Sequence, residues 1–153
     1  MSFTVRTDAF GNGATIPAKY TCSGANVSPA LQWSEAPHDA KSLALIVDDP
    51  DAPGGTWTHW VIWDIAPNAA GLPEGVPHDE SLPGGARQGK SDFGKVGYGG
   101  PCPPPGKQHR YFFRMYALDK VLELKAGSER PDLEDAMKRH ILAQAEWMGT
   151  FKR

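Results

Sequence analysis

Two cysteines among 153 residues are too few for a disulfide framework. Cys22 and Cys102 are therefore read as reduced thiols, although nothing in the sequence keeps the pair from meeting in space. No apolar run approaches the roughly 20 residues that span a bilayer. Ser2-Phe-Thr-Val5 begins like a strand, not like a basic segment followed by an apolar one. These absences point to a cytoplasmic chain without stable membrane insertion. Lys and Arg form no cluster and the net charge is −2, so nucleic acid is not an expected partner. No serine or cysteine sits in a nucleophile elbow, and no paired i, i+4 histidines mark a metal hydrolase. No catalytic residue, metal or cofactor is assigned on this reading.

What is present is a loop-rich globular chain. The 17 glycines and 14 prolines make up about a fifth of it, below the roughly 25–30% that marks low complexity. A single domain over residues 1–153 is expected, large enough to bury roughly 68–70% of the unfolded chain's surface. Phe3–Thr7 reads as an edge strand, and Tyr20–Trp33 as a polar loop ending in a short strand. Asn26 and Ser28 are expected to bond to backbone nearby. Lys41–Asp48 is the clearest core strand, with Leu43, Leu45 and Val47 on one face and Ala44 and Ile46 on the other. Asp48-Asp-Pro-Asp-Ala-Pro53 ends it. The chain returns as Trp57–Ile65, where a strict period of two puts Trp57, His59, Val61, Trp63 and Ile65 on one face. Residues 67–95 lack a usable period and are expected to be an ordered loop packed over the site. Val121–Lys125 reads as one more short strand. Pro131–Met148 reads as a helix, from the stripe Leu133, Ala136, Met137, Ile141, Ala145, Met148 and the acidic first turn. Strands first and a helix last argue a mostly β domain with helical cover.

The centre of the sequence is Gly97–Tyr111, which runs into Phe112–Tyr116. Pro101, Pro103, Pro104 and Pro105 lack amide donors and have fixed φ, so this loop is stiff and cannot be a helix or central strand. Arg110–Tyr116 then reads as a buried strand. The loop delivers His109 and Tyr111 to the mouth of that strand.

Five polar residues fall at strand ends beside stiff loops: Asp49, Asp51, His59, His109 and Tyr111. If the three strands are neighbours, two imidazoles and a phenol converge as donors, with amides of the glycine-rich loop as further donors. The carboxylates would fix the tautomers and favour protonated rings. Such a site binds a small anion, a phosphate group or carboxylate. The structural alternatives are ordinary: a strand histidine satisfied in the core, Asx turns at Asp49 and Asp51, and an Arg110 ion pair with Asp51 or Asp48. His38 and His78 read as solvated loop residues and His140 as a helix packing residue. Cys102 is a possible reactive thiol beside the site. The rival function is a metal-dependent or acid/base phosphoester hydrolase using the same aspartates and histidines.

Two ordered segments also carry a resemblance. Asp49-Pro-Asp-Ala-Pro53 with Trp57-x-His59-Trp60, and Gly100-Pro-x-Pro-Pro-x-Gly106 leading to His109-Arg-Tyr111, resemble the signature regions of the phosphatidylethanolamine-binding protein family, also called the Raf kinase inhibitor protein family. Cys22-x-Gly24-x-Asn26-x-Ser28-Pro29-x-Leu31-x-Trp33, the short length and the C-terminal helix are similar to its bacterial branch. The resemblance implies a Greek-key core of two antiparallel sheets and an anion pocket carried by Asp49, Asp51, Trp57, His59, Gly100, Pro101, His109 and Tyr111. It implies a cis proline near the pocket, placed here at Ala52-Pro53. It further implies a binding or kinase- or protease-inhibitor-like module, monomeric or homodimeric, whose ligand is a phosphoethanolamine-like headgroup, phosphate or carboxylate. Cys102 and the extra proline lengthen the second loop relative to mammalian members, a departure that bears on any transfer of mammalian lipid or kinase specificity.

Overall fold

The computed structural model describes residues 2–153. Its elements run β1 (Thr4–Arg6), β2 (Leu31–Ser34), β3 (Ser42–Asp49), β4 (Trp57–Ile65), β5 (Gly71–Leu72), β6 (Arg87–Gln88), β7 (His109–Leu118), α1 (Arg130–Met137) and β8 (Ile141–Phe151). Every strand pair is antiparallel. One sheet has the order β1-β2-β5 and the other β6-β4-β3-β7-β8. The mostly β class with two antiparallel sheets and helical cover is what the sequence pattern required, and the β3–β7 pairing of non-consecutive strands is the crossing path of a Greek key.

β3 is buried along its whole length because it is covered on both faces. Leu43, Leu45 and Val47 join the main core between the sheets, with Leu31 and Val5 from the smaller sheet and Phe113 and Met115 from β7. Ala44 and Ile46 face outward beneath Leu133 and Met137 of α1. The alternation read from the sequence is therefore correct on this strand. On β4 it is not. The register slips between Val47 and Asp48 and again between Leu43 and Leu45, so β4 carries an extra residue at each place. Trp60, Ile62 and Ile65 face the main core, while Val61 and Trp63 face the helix. Asp64 takes a φ of 56° at the second irregularity, and its carboxylate accepts the Leu122 amide at 2.8 Å. Bulges of this kind re-aim side chains without ending the pairing. Here the first one turns His59 toward the strand end that carries Tyr111.

The predicted 131–148 helix is corrected to a shorter helix followed by a long strand. α1 begins with a Glu129–Asp132 capping box and Pro131 in its first turn, and it ends at Met137. Arg139 then takes a left-handed φ of 71°. From Ile141 the chain pairs with β7 over its full length. Ile141, Ala145 and Met148 fit a helical stripe, but Ala143, Ala145 and Trp147 also fit a period of two, and these three pack on the main core. The free edge of β7 decides between the two periods, as tertiary pairing commonly does. Val121–Lys125 is not a strand; it forms no ladder and holds Leu122 under the outer cluster. Ala52-Pro53 is not cis, and no cis peptide occurs among the described residues. No helix among the described residues is long and apolar enough to cross a membrane.

Candidate ligand-binding site

Asp49 ends β3, His59 sits near the start of β4, and His109 and Tyr111 open β7, so the β4-β3-β7 order puts all four at one end of the larger sheet. They line a hollow of about 250 Å³ together with Trp57, Phe93, Pro103 and Pro104. The hollow is walled by stiff prolines and half-exposed aromatic rings. Trp57 and Phe93 stand edge to face at 5.5 Å, with 37% and 41% of their surfaces exposed. His59 packs edge-on against both Phe93 and Tyr111 at 5.3 Å.

The polar atoms are committed unequally. Asp49 Oδ2 lies 2.6 Å from His109 Nδ1, and its Oδ1 accepts the Asp51 amide at 2.8 Å. Asp49 is therefore both an Asx-turn residue and the group that orients His109. His59 Nδ1 donates to the Gly99 carbonyl at 2.7 Å. Because a carbonyl only accepts, the proton belongs on Nδ1, and Nε2 remains for another partner. Burial pushes the His59 pKa down, against the Gly99 carbonyl and the Asp49 charge. The sequence-based expectation of a carboxylate-favoured imidazolium is thus reversed at His59. The Tyr111 hydroxyl is buried and makes no hydrogen bond of ordinary geometry among the described residues. Burial first, then the Asp49 charge and the nearby Asp49 carboxylate as an acceptor, push its pKa up, so it remains a neutral donor.

Other predicted residues are close but differently employed. Asp51 stands outside the hollow and holds Arg110 through two side-chain bonds of 2.9 Å and the Arg110 amide at 3.0 Å. That guanidinium holds the Asp51 carboxyl down at about 2. Gly100 and Pro101 do not line the hollow either. They frame it: the Gly100 amide donates to Asn26 Oδ1 at 2.8 Å, and the Pro101 carbonyl accepts the Cys22 amide at 3.1 Å. A Cβ on Gly100 would lie 2.2 Å from the Tyr20 carbonyl oxygen, so only glycine fits there. The loop amides expected as anion donors are spent inside the protein, Gly97 on Gly89, Gly99 on His59 and Gly106 on Arg153.

Cys22 and Cys102 form a disulfide, which corrects the reduced thiols and the reactive Cys102 expected from their scarcity. The two stiff loops approach each other through Cys22–Pro101, Asn26–Gly100 and the Tyr98 hydroxyl on the Tyr20 carbonyl at 2.6 Å. The covalent link completes that seam. Asn26 and Ser28 accordingly bond far along the chain, Ser28 Oγ accepting the Val76 amide at 3.0 Å. His140 lies beyond the helix, 2.8 Å from Asp119. His38 and His78 are exposed, as expected.

Phe93 is the lining residue that sequence reading did not name. It sits on a Ser91–Lys95 turn tied to β4 by the Thr58 amide on Asp92 Oδ2 at 2.7 Å. The expectation that residues 67–95 pack over the site holds through this turn. An Asp-Phe-Gly turn beside a binding segment was the available signal.

The phosphatidylethanolamine-binding protein family model matches residues 6–152. A protein designated UPF0098 from Methanothermobacter thermautotrophicus is 52% identical over 149 residues, covering 97% of this chain and 98% of its own. A UPF0098 protein from Chlamydia muridarum is 45% identical over 150 residues, covering 95% of each chain, so relatives occur in archaea as well as bacteria. Among solved structures, the phosphatidylethanolamine-binding protein homologue CT736 from Chlamydia trachomatis superposes with a TM-score of 0.91 at 41% identity, covering 99% of this chain and 98% of its own. YbcL from E. coli, described as a member of the mammalian family, gives 0.93 at 34% identity, covering 100% and 99%. With the model matching nearly from end to end and such relatives on both measures, this chain belongs to the phosphatidylethanolamine-binding protein family.

Proposed function

We propose that the hollow takes up a small anionic group, phosphate or carboxylate, and that the protein works as a ligand-binding regulatory module without catalysis. The observation that carries this is the Tyr111 hydroxyl, buried and unpartnered beside two imidazoles whose Nδ1 atoms are already engaged. A buried donor without a partner costs about 1–3 kcal/mol, a cost that an incoming acceptor relieves. An entering anion also favours proton uptake by His59, turning Nε2 from acceptor to donor. A phosphoethanolamine-like headgroup agrees with the family's description, and inhibition of a partner kinase or protease is the regulatory role in view. A cytoplasmic address belongs to the same reading. Cell fractionation tests it, since a stable disulfide is rare in reducing compartments outside hyperthermophiles. A hydrolase that used Asp49 as its base would have to release it first, since Asp49 already spends both oxygens on His109 and the Asp51 amide.

Titration with inorganic phosphate, phosphoethanolamine and acetate, followed by amide NMR and tryptophan fluorescence, tests the reading. Shifts confined to residues around Trp57, His59 and Tyr111 are expected, and they should vanish in His59→Ala. Sulfate, whose charge is constant, should bind more tightly at a pH of about 5.5 than of about 7.5 because binding takes up a proton. No response at millimolar ligand, or an identical response from His59→Ala, refutes it.

A further inference from the structure

A second hollow of about 390 Å³ adjoins the first, and Phe93 and Cys102 border both. The site described above does not use it. Its polar side chains are unlike those of the first hollow in kind but alike in what they offer. Lys95 and His78 are exposed and make no hydrogen bond or ion pair through their side chains among the described residues. Asn26 commits its Oδ1 to the Gly100 amide, which leaves its amino group as a donor. No carboxylate lines this hollow. It is thus an array of donors around largely apolar walls, with a lysine cation at its edge. Backbone packing keeps the two rings in place. A Cβ on Gly97 would meet the His78 ring at 2.4 Å, and one on Gly99 would meet the Phe93 ring at 2.6 Å, so each glycine lets a ring approach the chain closely.

We propose that the two hollows form one bipartite site, for a small organic ligand carrying two anionic groups joined by a short apolar or aromatic link. One anion sits on His59, His109 and Tyr111; the link crosses the exposed Phe93 ring; the second anion meets Lys95, with Asn26 and His78 beside it. The second array has no carboxylate, and the one carboxylate of the first, Asp49, is held by His109 and the Asp51 amide; two such arrays sharing one aromatic border favour this ligand over a lone phosphate. This rests on the anion reading of the first hollow and adds the chemical class of its ligand.

Inorganic phosphate, phenyl phosphate and 4-carboxyphenyl phosphate, titrated into the intact protein by calorimetry and NMR, separate the two ideas. The carboxylated compound should bind tighter than phenyl phosphate by about three- to fivefold, the size of one exposed charge pair. That gain should disappear in Lys95→Gln, whose phosphate affinity stays that of the parent. Shifts at Val96 and Gly97 should accompany the carboxylated compound and be absent with phosphate. Equal affinity of the two aryl phosphates, or a gain that survives Lys95→Gln, overturns the bipartite site while leaving the phosphate result intact. Failure of phosphate itself to bind overturns the reading beneath it. Binding of the carboxylated compound that ignores His59→Ala confines it to the second hollow and likewise overturns the bipartite site.

Discussion

Asp48 and Asp49 are consecutive on β3, almost equally sealed at 2% and 3% exposure, and they point to opposite faces. Asp48 meets Arg130 at 2.9 Å and Arg114 at 3.1 Å, and Arg130 also reaches Thr58 Oγ1 at 3.3 Å. Arg114 in turn covers the Phe112 ring at 4.4 Å and pairs with Glu146. Every strong group there is answered by another from the same chain, and the cluster ties α1 to the sheet and links β3, β7 and β8 across it. Asp49 has one histidine and one backbone amide, and beside it stands a tyrosine hydroxyl with no partner. Burial and charge alone would rank the two aspartates alike. The unspent donor sets the Asp49 end apart from the clamp at Asp48.

The largest effect should come from cutting the link on the Asp49 side. The Cys22–Cys102 bond closes a separation of 80 residues, for which chain entropy alone predicts about 4.5 kcal/mol. Cys22→Ser with Cys102→Ser, or reduction by a dithiol, should lower the urea midpoint accordingly. Phosphate binding should weaken with it, because Pro103 and Pro104 lose their fixed position. An unchanged midpoint under reduction would mean that the seam of hydrogen bonds suffices. Next in size, Asp48→Asn should cost about 3 kcal/mol by leaving two arginines without their carboxylate, and phosphate binding should be unaltered. Asp49→Asn should cost less, about 1–2 kcal/mol for one buried hydrogen bond, yet impair phosphate binding by freeing the His109 ring. If both variants change stability and binding in the same proportion, the distinction between clamp and site is lost.

Much of this was legible in the sequence, for local reasons. Prolines and glycines around 50 and 100 announce loops whatever the tertiary context, so Asp49, His59, His109 and Tyr111 were placed at strand ends, and β3 showed its two faces by simple alternation. What was not legible depended on distant partners. The faces of β4 depend on two bulges set by pairing with β3. The strand at Ile141–Phe151 depends on the open edge of β7, against a sequence that fits either period. The disulfide depends on two loops 80 residues apart folding against each other. The free Tyr111 hydroxyl and the spent loop amides are facts about which partners arrive, and no residue type declares them.

The smallest effect concerns Asp51, which the same reasoning puts between clamp and site. It lies at the rim, its side chain 24% exposed and that of Arg110 51% exposed. Solvent screens such a pair, so Asp51→Asn should shift the unfolding midpoint less than Asp48→Asn or Asp49→Asn does. Its signature is in pH instead. The carboxyl is held at about 2 against an ordinary 3.8, chiefly by the Arg110 guanidinium. The folded state therefore binds fewer protons than the unfolded one across that window. The contribution is complete above about 3.8, declines as pH falls, and is gone once pH has passed through about 2. Carboxyl-detected NMR on the folded protein should find Asp51 titrating near the lower value, and Arg110→Gln should return it toward the upper one. If Asp51 titrates normally with Arg110 present, the rim pair is not formed in solution. The aspartate would then be free to join the neighbouring hollow, a role its partnership with Arg110 denies it.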